Sequence, residues 1–369
     1  MSFETLGLNK DLMKAIQEQG YKTLTPVQEN ALPELLNGRD FLALAPTGSG
    51  KTATYILPIL EAVSKEANTN DDIHSLIIAP TRELAIQIGD NCQKYGQYLN
   101  LEIGVIFGGV TPKRHIKVLK RSPKILVATP GRLLDLISKG YVDLSQVKIF
   151  VLDEADKLLN SKSIEDMKKI IPLLPSKRQN IFLSATLSKS VIKASKNFLV
   201  NPVEYLSHEE TFVPAQINQI LYKVEEGEKI KKIHDLIMEP SLKKVLIFTR
   251  TKKIADKLCK SINSLNIRCK AIHGDKNQSE RIKVLELFKN NEIRILVATD
   301  VAARGLDISQ VSHVISMDVP KVPETYVHRI GRTGRAGFSG QGIVLCSEAE
   351  SSYLKAIEAY QKQEIKVMS

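Results

Sequence analysis

Uninterrupted runs of apolar, mostly β-branched residues recur along the chain, and each leads into a stretch whose apolar positions return every three or four residues. In the first half the runs fall at residues 40–45, 76–79, 125–129, 149–152 and 181–183. In the second they fall at 245–249, 295–299, 314–317 and 343–346. A strand that is apolar throughout must be covered on both faces, the condition of a parallel sheet between helices. The helical stretches between the runs fit this, because parallel neighbours need a crossover connection. The predicted fold class is therefore α/β, a mostly parallel sheet flanked by helices, and the pattern occurs twice.

The two occurrences echo one another. Ile125-Leu126-Val127-Ala128-Thr129 returns unchanged as Ile295-Leu296-Val297-Ala298-Thr299. The same offset sets Leu76-Ile77-Ile78 against Leu246-Ile247-Phe248. Two matches in one register predict two halves of like architecture. Between them, residues 207–219 are polar, hold Pro214 and show no period, so they read as a linker. The expected domains are residues 1–206 and 220–369.

Composition adds a partner class. A chain of 369 residues, 43% hydrophobic and 25% charged, can bury two sizeable cores. Its net charge of +11 favours a polyanion, nucleic acid before anionic membrane. Cys92, Cys259, Cys269 and Cys346 form no CxxC pair and suit a reducing compartment. There is no signal-peptide pattern and no apolar run of the ~18 residues a membrane span needs, so the expected location is cytoplasmic.

The chemistry starts at Ala45-Pro46-Thr47-Gly48-Ser49-Gly50-Lys51-Thr52, which follows an apolar run and opens a helical stretch. This is the P-loop pattern in the strand–loop–helix setting it requires. Glycines let backbone N–H groups turn onto phosphate oxygens, and the helix N-terminus adds its positive end. Lys51 is expected on the β- and γ-phosphates and Thr52 on Mg2+. The run at 149–152 ends in Asp153-Glu154, and a carboxylate at that end of a parallel strand faces a ligand site. Asp153 is expected to hold Mg2+ through water, and Glu154 to deprotonate the attacking water.

Asp153-Glu154-Ala155-Asp156 is also the sequence that names the DEAD-box RNA helicases of superfamily 2. The chain resembles that family over nearly its whole length, with the motifs in the family's order. Phe3 precedes a Q-motif-like stretch from Gly20 through Tyr21 to Gln28, and Pro80-Thr81-Arg82-Glu83-Leu84-Ala85, Gly108-Gly109, Thr129-Pro130-Gly131-Arg132 and Ser184-Ala185-Thr186 follow. The second half carries Leu246 to Arg250, Ala298-Thr299-Asp300 through Arg304-Gly305-Leu306-Asp307, and His328-Arg329-Ile330-Gly331-Arg332-Thr333-Gly334-Arg335.

The resemblance implies two tandem RecA-like domains with ATP between them and RNA-stimulated hydrolysis of ATP. It implies that Gln28 reads the adenine edge, with Tyr21 or Phe3 packed on the ring, and that Asp307 also belongs to the ATP site. Arg332 and Arg335 are implied as arginine fingers; their i, i+3 spacing, if helical, sets them on one face. His328 is implied as a link to Ser184 and Thr186, the coupling motif. RNA is implied across Arg82, Gly109, Thr129 and Arg132 in the first half. In the second half it falls on Arg250, His273-Gly274-Asp275, Gln278, Arg281, Thr299 and Gly305. Contacts of this kind hold the backbone and read little sequence. Jointly bound ATP and RNA would close the domains and bend one strand, separating a short duplex. A monomer without membrane contact, directed to its RNA by partner proteins, completes the expectation. A DNA translocase and an ATP-gated RNA clamp or annealing factor with little unwinding are the alternatives.

Overall fold

Among the described residues, fourteen strands account for the apolar runs and for several segments the runs do not reveal. The structure, a computed structural model, describes residues 2–45, 49–66, 72–159, 163–186, 188–206, 217–303, 311–334 and 339–368. It divides into two compact units, Met1–His208 and Glu209–Ser369.

The first unit holds β1 (Phe41–Leu44), β2 (Ser75–Ile78), β3 (Ile103–Ile106), β4 (Ile125–Ala128), β5 (Ile149–Leu152), β6 (Gln179–Ser184) and β7 (Val203–Leu206). The second holds β8 (Ile217–Lys223), β9 (Val245–Thr249), β10 (Cys269–Ile272), β11 (Ile295–Thr299), β12 (His313–Ser316), β13 (Gly340–Cys346) and β14 (Lys366–Met368). The sheet orders are β3-β4-β2-β5-β6-β1-β7 and β10-β11-β9-β12-β13-β8-β14, position for position the same. All the pairings among the described strands are parallel. The sequence echo reaches the register: Ile77 lies beside Val127 in one sheet and Ile247 beside Val297 in the other.

Successive strand residues point to opposite faces, so each sheet separates two cores. Phe41, Ile77, Val127 and Val151 face one side of the first sheet, while Leu42, Leu76, Leu126 and Phe150 face the other. Ile247, Val297 and Ile315 oppose Leu246, Leu296 and Val314 in the second.

The described strands without a clear apolar run are the interior β8 and the edges β3, β7, β10 and β14. The outermost edges are the least covered: β7 alternates half-buried and exposed, and β14 is exposed throughout. The linker expected at 207–219 requires a correction, because residues 217–219 open β8. Their polarity has a local cause: the buried Gln219 Oε1 accepts from the Tyr326 hydroxyl at 2.9 Å. The rest of that segment lies outside the described residues.

Candidate active site and RNA-facing loops

The nucleotide site grows from the C-terminal ends of adjacent strands. β1 runs into Ala45, whose N–H continues the ladder to Ser184 O at 3.1 Å. The helix Lys51–Lys65 then begins on Gly50, whose φ of +93° is costly for any residue with a Cβ. Pro46, Thr47 and Gly48 lie outside the described residues, while Ser49, Gly50, Lys51 and Thr52 stand at the helix start. The Lys51 ammonium donates to Ala45 O. Burial pulls its pKa below the ordinary lysine value, opposed by the charges of Asp153, Glu154 and Asp156.

Asp153 follows β5 and is 4% exposed. Its Oδ2 accepts from the Tyr55 hydroxyl and its Oδ1 from the Glu154 N–H, both at 2.8 Å. Burial, then the like charge of Glu154, raises its pKa from 3.8 to about 6, against the pull of Lys51 and of those hydrogen bonds. Glu154 sits at φ +52°, the left-handed region that side chains other than glycine and asparagine seldom adopt. Such strain persists where the surroundings impose it, often at functional sites. Lys157 pairs with Glu154 at 2.7 Å. The Thr186 hydroxyl donates to Asp156 Oδ2 at 3.2 Å, and Ser184 Oγ holds the same turn by donating to Thr186 O at 2.7 Å. Thr186 is therefore joined to Asp156, just past the acidic strand end, and Ser184 to Thr186.

The Asp153 carboxyl makes a stability prediction. The folded state holds its proton more tightly than the unfolded chain, so its stability falls as pH rises from about 4 to about 6 and stays reduced at pH 7. Asp153→Asn is expected to raise the melting temperature of the ligand-free protein at pH 7, by up to about 3 kcal/mol of stability, and to do little near pH 4. An identical gain at both pH values, measured by thermal denaturation, would contradict the assignment.

Gln28 is buried. Its Oε1 accepts from Thr25 N–H at 3.0 Å, closing the first turn of the helix Pro26–Leu36, and its Nε2 donates to Gly50 O at 3.2 Å. One donor and one acceptor site of the amide remain for a base edge. The two aromatic candidates differ: Phe3 is buried in the core, whereas Tyr21 is 47% exposed. Tyr21 packs on Phe3 with ring centroids 6.4 Å apart and shares a 3.3 Å hydroxyl contact with Tyr95.

A second cluster gathers in the same unit. A Cβ on Gly109 would fall 1.8 Å from Arg82 Nη1, and its φ is +82°. The Thr129 hydroxyl accepts from Gly108 N–H at 3.3 Å. Arg132 donates to Val110 O at 2.8 Å and lies 3.7 Å from Asp135. Arg82, Gly109, Thr129 and Arg132, dispersed in sequence, thus meet at one loop.

The second unit has its own network. Arg250 donates to Glu350, and its N–H to Asp318 Oδ2 at 2.7 Å. Glu226, Asp318 and Glu350 converge as a metal site would, but Lys229 Nζ stands among them at 2.8, 3.9 and 2.6 Å and supplies the cation. Gly274 is exposed beyond β10, beside the buried His273, which meets Asp256 at 3.0 Å. Arg281 donates to Ala302 O at 3.3 Å, and Thr299 ends β11 as the counterpart of Thr129 after β4. His328 lies on the helix Pro323–Ile330. That helix ends before Arg332, so Arg332 does not lie on it. Gly331 closes the helix, and buried Arg332 sits in the turn after it. Arg304, Gly305, Asp307 and Arg335 lie outside the described residues.

Sequence motifs did not single out Arg329, which the structure makes central. It is 3% exposed and forks onto Asp300 at 2.7 and 2.8 Å while donating to Asp318 O at 2.7 Å.

Two RecA-like units, one carrying a P-loop helix against a buried acidic strand end, define a nucleotide-hydrolysing motor. Comparison with known proteins gives the family. A DEAD/DEAH box helicase model matches residues 25–194, and a helicase conserved C-terminal domain model matches residues 228–337. An ATP-dependent RNA helicase CshA of Limosilactobacillus reuteri is 42% identical over 360 residues, covering 97% of this chain and 71% of that protein. The DEAD-box ATP-dependent RNA helicase CshA of Bacillus subtilis (strain 168) is 39% identical over 99% of this chain and 73% of that protein. Among solved structures, S. cerevisiae Dbp5 bound to RNA and ADP BeF3 aligns with a TM-score of 0.89 at 30% identity, over 100% of this chain and 95% of that one. The chain belongs to the DEAD-box ATP-dependent RNA helicases.

Proposed function

We propose that the protein hydrolyses ATP with Mg2+ in its first unit, stimulated by RNA, and uses the cycle to separate short RNA duplexes or remodel RNA–protein complexes. The observation that carries this reading is the assembly of half-buried Lys51 and Glu154 with buried Asp153 and Asp156, tied through Thr186 to the end of β6. Lys51 binds the β- and γ-phosphates beside the N–H groups of the loop at residues 45–50. Tyr21 rather than Phe3 covers the adenine ring, and Gln28 reads its edge while holding Gly50.

A divalent cation fits the acidic set, because Asp153 is buried against Glu154 with its pKa raised, and Asp156 Oδ1 is buried without a hydrogen-bond partner. Thr52 and Asp153 would hold Mg2+, which when bound neutralises charge on the phosphate oxygens. Glu154 accepts the proton of the attacking water. Arg332 and Arg335 supply positive charge to the phosphoryl group, and Asp307 and His328 serve the same nucleotide. Ser184 and Thr186 pass the state of the acidic strand end onward.

RNA is held by its backbone, on Arg82, Gly109, Thr129 and Arg132 of the first unit and on Arg250, Gly274, Arg281, Thr299 and Gly305 of the second. Gly109 and its loop suit this task, because close approach of a phosphate needs bare backbone. Gly109→Ala is expected to displace Arg82 and raise the RNA concentration for half-maximal ATPase about tenfold, with the KM for ATP unchanged. An unaltered RNA dependence would remove this loop from the interface. The protein works as a monomer in the cytoplasm, with partner proteins selecting its RNA; among the described residues no helix can cross a membrane.

Displacement of a labelled strand from a short RNA duplex tests the coupling. Separation should require hydrolysable ATP. Hydrolysis with no strand release would make the protein an ATP-gated clamp.

A further inference from the structure

The helix Pro112–Leu119 is a short, strongly basic surface helix with one fully buried side chain, His115, at 1% exposure. A buried histidine is most often plain core, yet the surroundings of this one are polar and specific. Its Nδ1 lies 3.0 Å from Arg132 Nη1. Its Nε2 lies 3.4 Å from the N–H of Phe107, and its ring meets the Phe107 ring edge-on, centroids 5.3 Å apart at 72°. Phe107 opens the loop whose next three residues are Gly108, held by Thr129, Gly109, under Arg82, and Val110, held by Arg132.

Both groups aimed at the ring are donors, since a guanidinium has no acceptor. A neutral imidazole accepts at one nitrogen and an imidazolium at neither. The guanidinium can only donate, so the shorter contact makes Nδ1 the acceptor; the proton of the neutral ring then stands on Nε2, and the longer contact from the Phe107 N–H at 3.4 Å is given up. Burial, then the charges of Arg132 and Arg114, lower the ring's pKa to about 4, which keeps the ring neutral at pH 7.

We infer that His115 is a positioning residue for RNA binding: it fixes the Arg132 guanidinium against Val110 and thereby sets the loop at residues 107–110 in the form that grips an RNA backbone. The inference rests on the reading of Arg132 and Gly109 as RNA contacts. The geometry gives His115 this leverage because Arg132 is held from three sides, by His115, by Val110 O and by Asp135. Without an acceptor at the His115 position, the guanidinium loses one of its fixing bonds and turns toward the remaining two. An RNA phosphate then meets a displaced cation.

The test is RNA-stimulated ATPase of the full chain with His115→Leu, His115→Gln, Arg132→Ala and the double variant His115→Leu/Arg132→Ala. Removal of a hydrogen bond to a charged group predicts that His115→Leu raises the RNA concentration for half-maximal stimulation about tenfold. The kcat at saturating RNA and the KM for ATP should not change. Glutamine offers an amide oxygen as acceptor, so His115→Gln should stay within about twofold of wild type. Since His115 acts through Arg132, the double variant should bind RNA no worse than Arg132→Ala alone. A lower kcat with unchanged RNA dependence in His115→Leu would reduce the residue to a structural role and overturn the inference. Full additivity in the double variant would overturn it as well. If Arg132→Ala itself leaves the RNA dependence untouched, the RNA reading of Arg132 fails first and the inference falls with it. If His115→Leu does not fold, 15N spectra of histidine-labelled wild type decide: the His115 resonance, assigned by its loss in His115→Gln, should show an unprotonated Nδ1 and shift on addition of RNA with a non-hydrolysable ATP analogue. A protonated Nδ1, or no shift with RNA, overturns the inference.

Discussion

Glu154→Gln is expected to lower turnover of ATP by about 10²- to 10⁴-fold while ATP still binds, the usual loss when a positioned general base is removed. The substitution keeps the size of the side chain and its place beside Lys157, and removes only the charge that accepts a proton. The backbone argues that this carboxylate matters. Asp153 and Glu154 are consecutive, and φ of +52° at Glu154 turns the chain sharply between them. The turn separates two neighbouring acids into two roles: Asp153 is fixed by Tyr55 and by the Glu154 N–H, while Glu154 is held by Lys157. A variant that hydrolyses ATP at the wild-type rate would remove Glu154 from the mechanism.

Arg329→Ala is expected to destabilise the second unit by about 3–5 kcal/mol, the loss seen when one partner of a buried charge pair is removed. Three hydrogen bonds disappear, and the Asp300 carboxylate and the Asp318 carbonyl lose their donor. The guanidinium also covers the Phe248 ring, 5.2 Å from its centroid, on β9. Hydrogen exchange should accelerate throughout the second unit and leave the first unit protected, and the second unit should melt about 10 °C lower or more. Unchanged exchange in the second unit would show that the fork is dispensable. Arg329 and Arg332 lie in one arginine-rich motif, yet Arg329 ties β12 and β9 to the strand end at Asp300, so its loss acts through folding rather than through nucleotide chemistry.

What the sequence made legible follows from how strongly each position is constrained. Central strands such as β4 and β11 are covered on both faces, so they must be apolar throughout and stand out in the chain. Edge strands such as β7, with Glu204 among its four residues, carry no such requirement. The P-loop and the acids after β5 are contiguous, and their spacing alone announces them. The cluster at Gly109 was visible as separate motifs, but not the clash that requires its glycine, because that depends on where Arg82 lies. His115 and Arg329 gave no signal, since a lone histidine in a basic helix and an arginine beside other arginines are ordinary patterns. The linker was overextended because Gln219 looks solvent-facing until Tyr326 is found beside it. The conditional helical spacing of Arg332 does not hold for a related reason: Gly331 ends the helix before that residue is reached.

ATP hydrolysis in the first unit is expected to depend on RNA. The most direct measurement is the steady-state ATPase rate of the full chain alone, with single-stranded RNA, and with single-stranded DNA of the same sequence. The account predicts a slow basal rate, a many-fold rise with RNA that weakens as salt is raised, and little response to DNA. A rate indifferent to RNA, or raised equally by DNA, would contradict it.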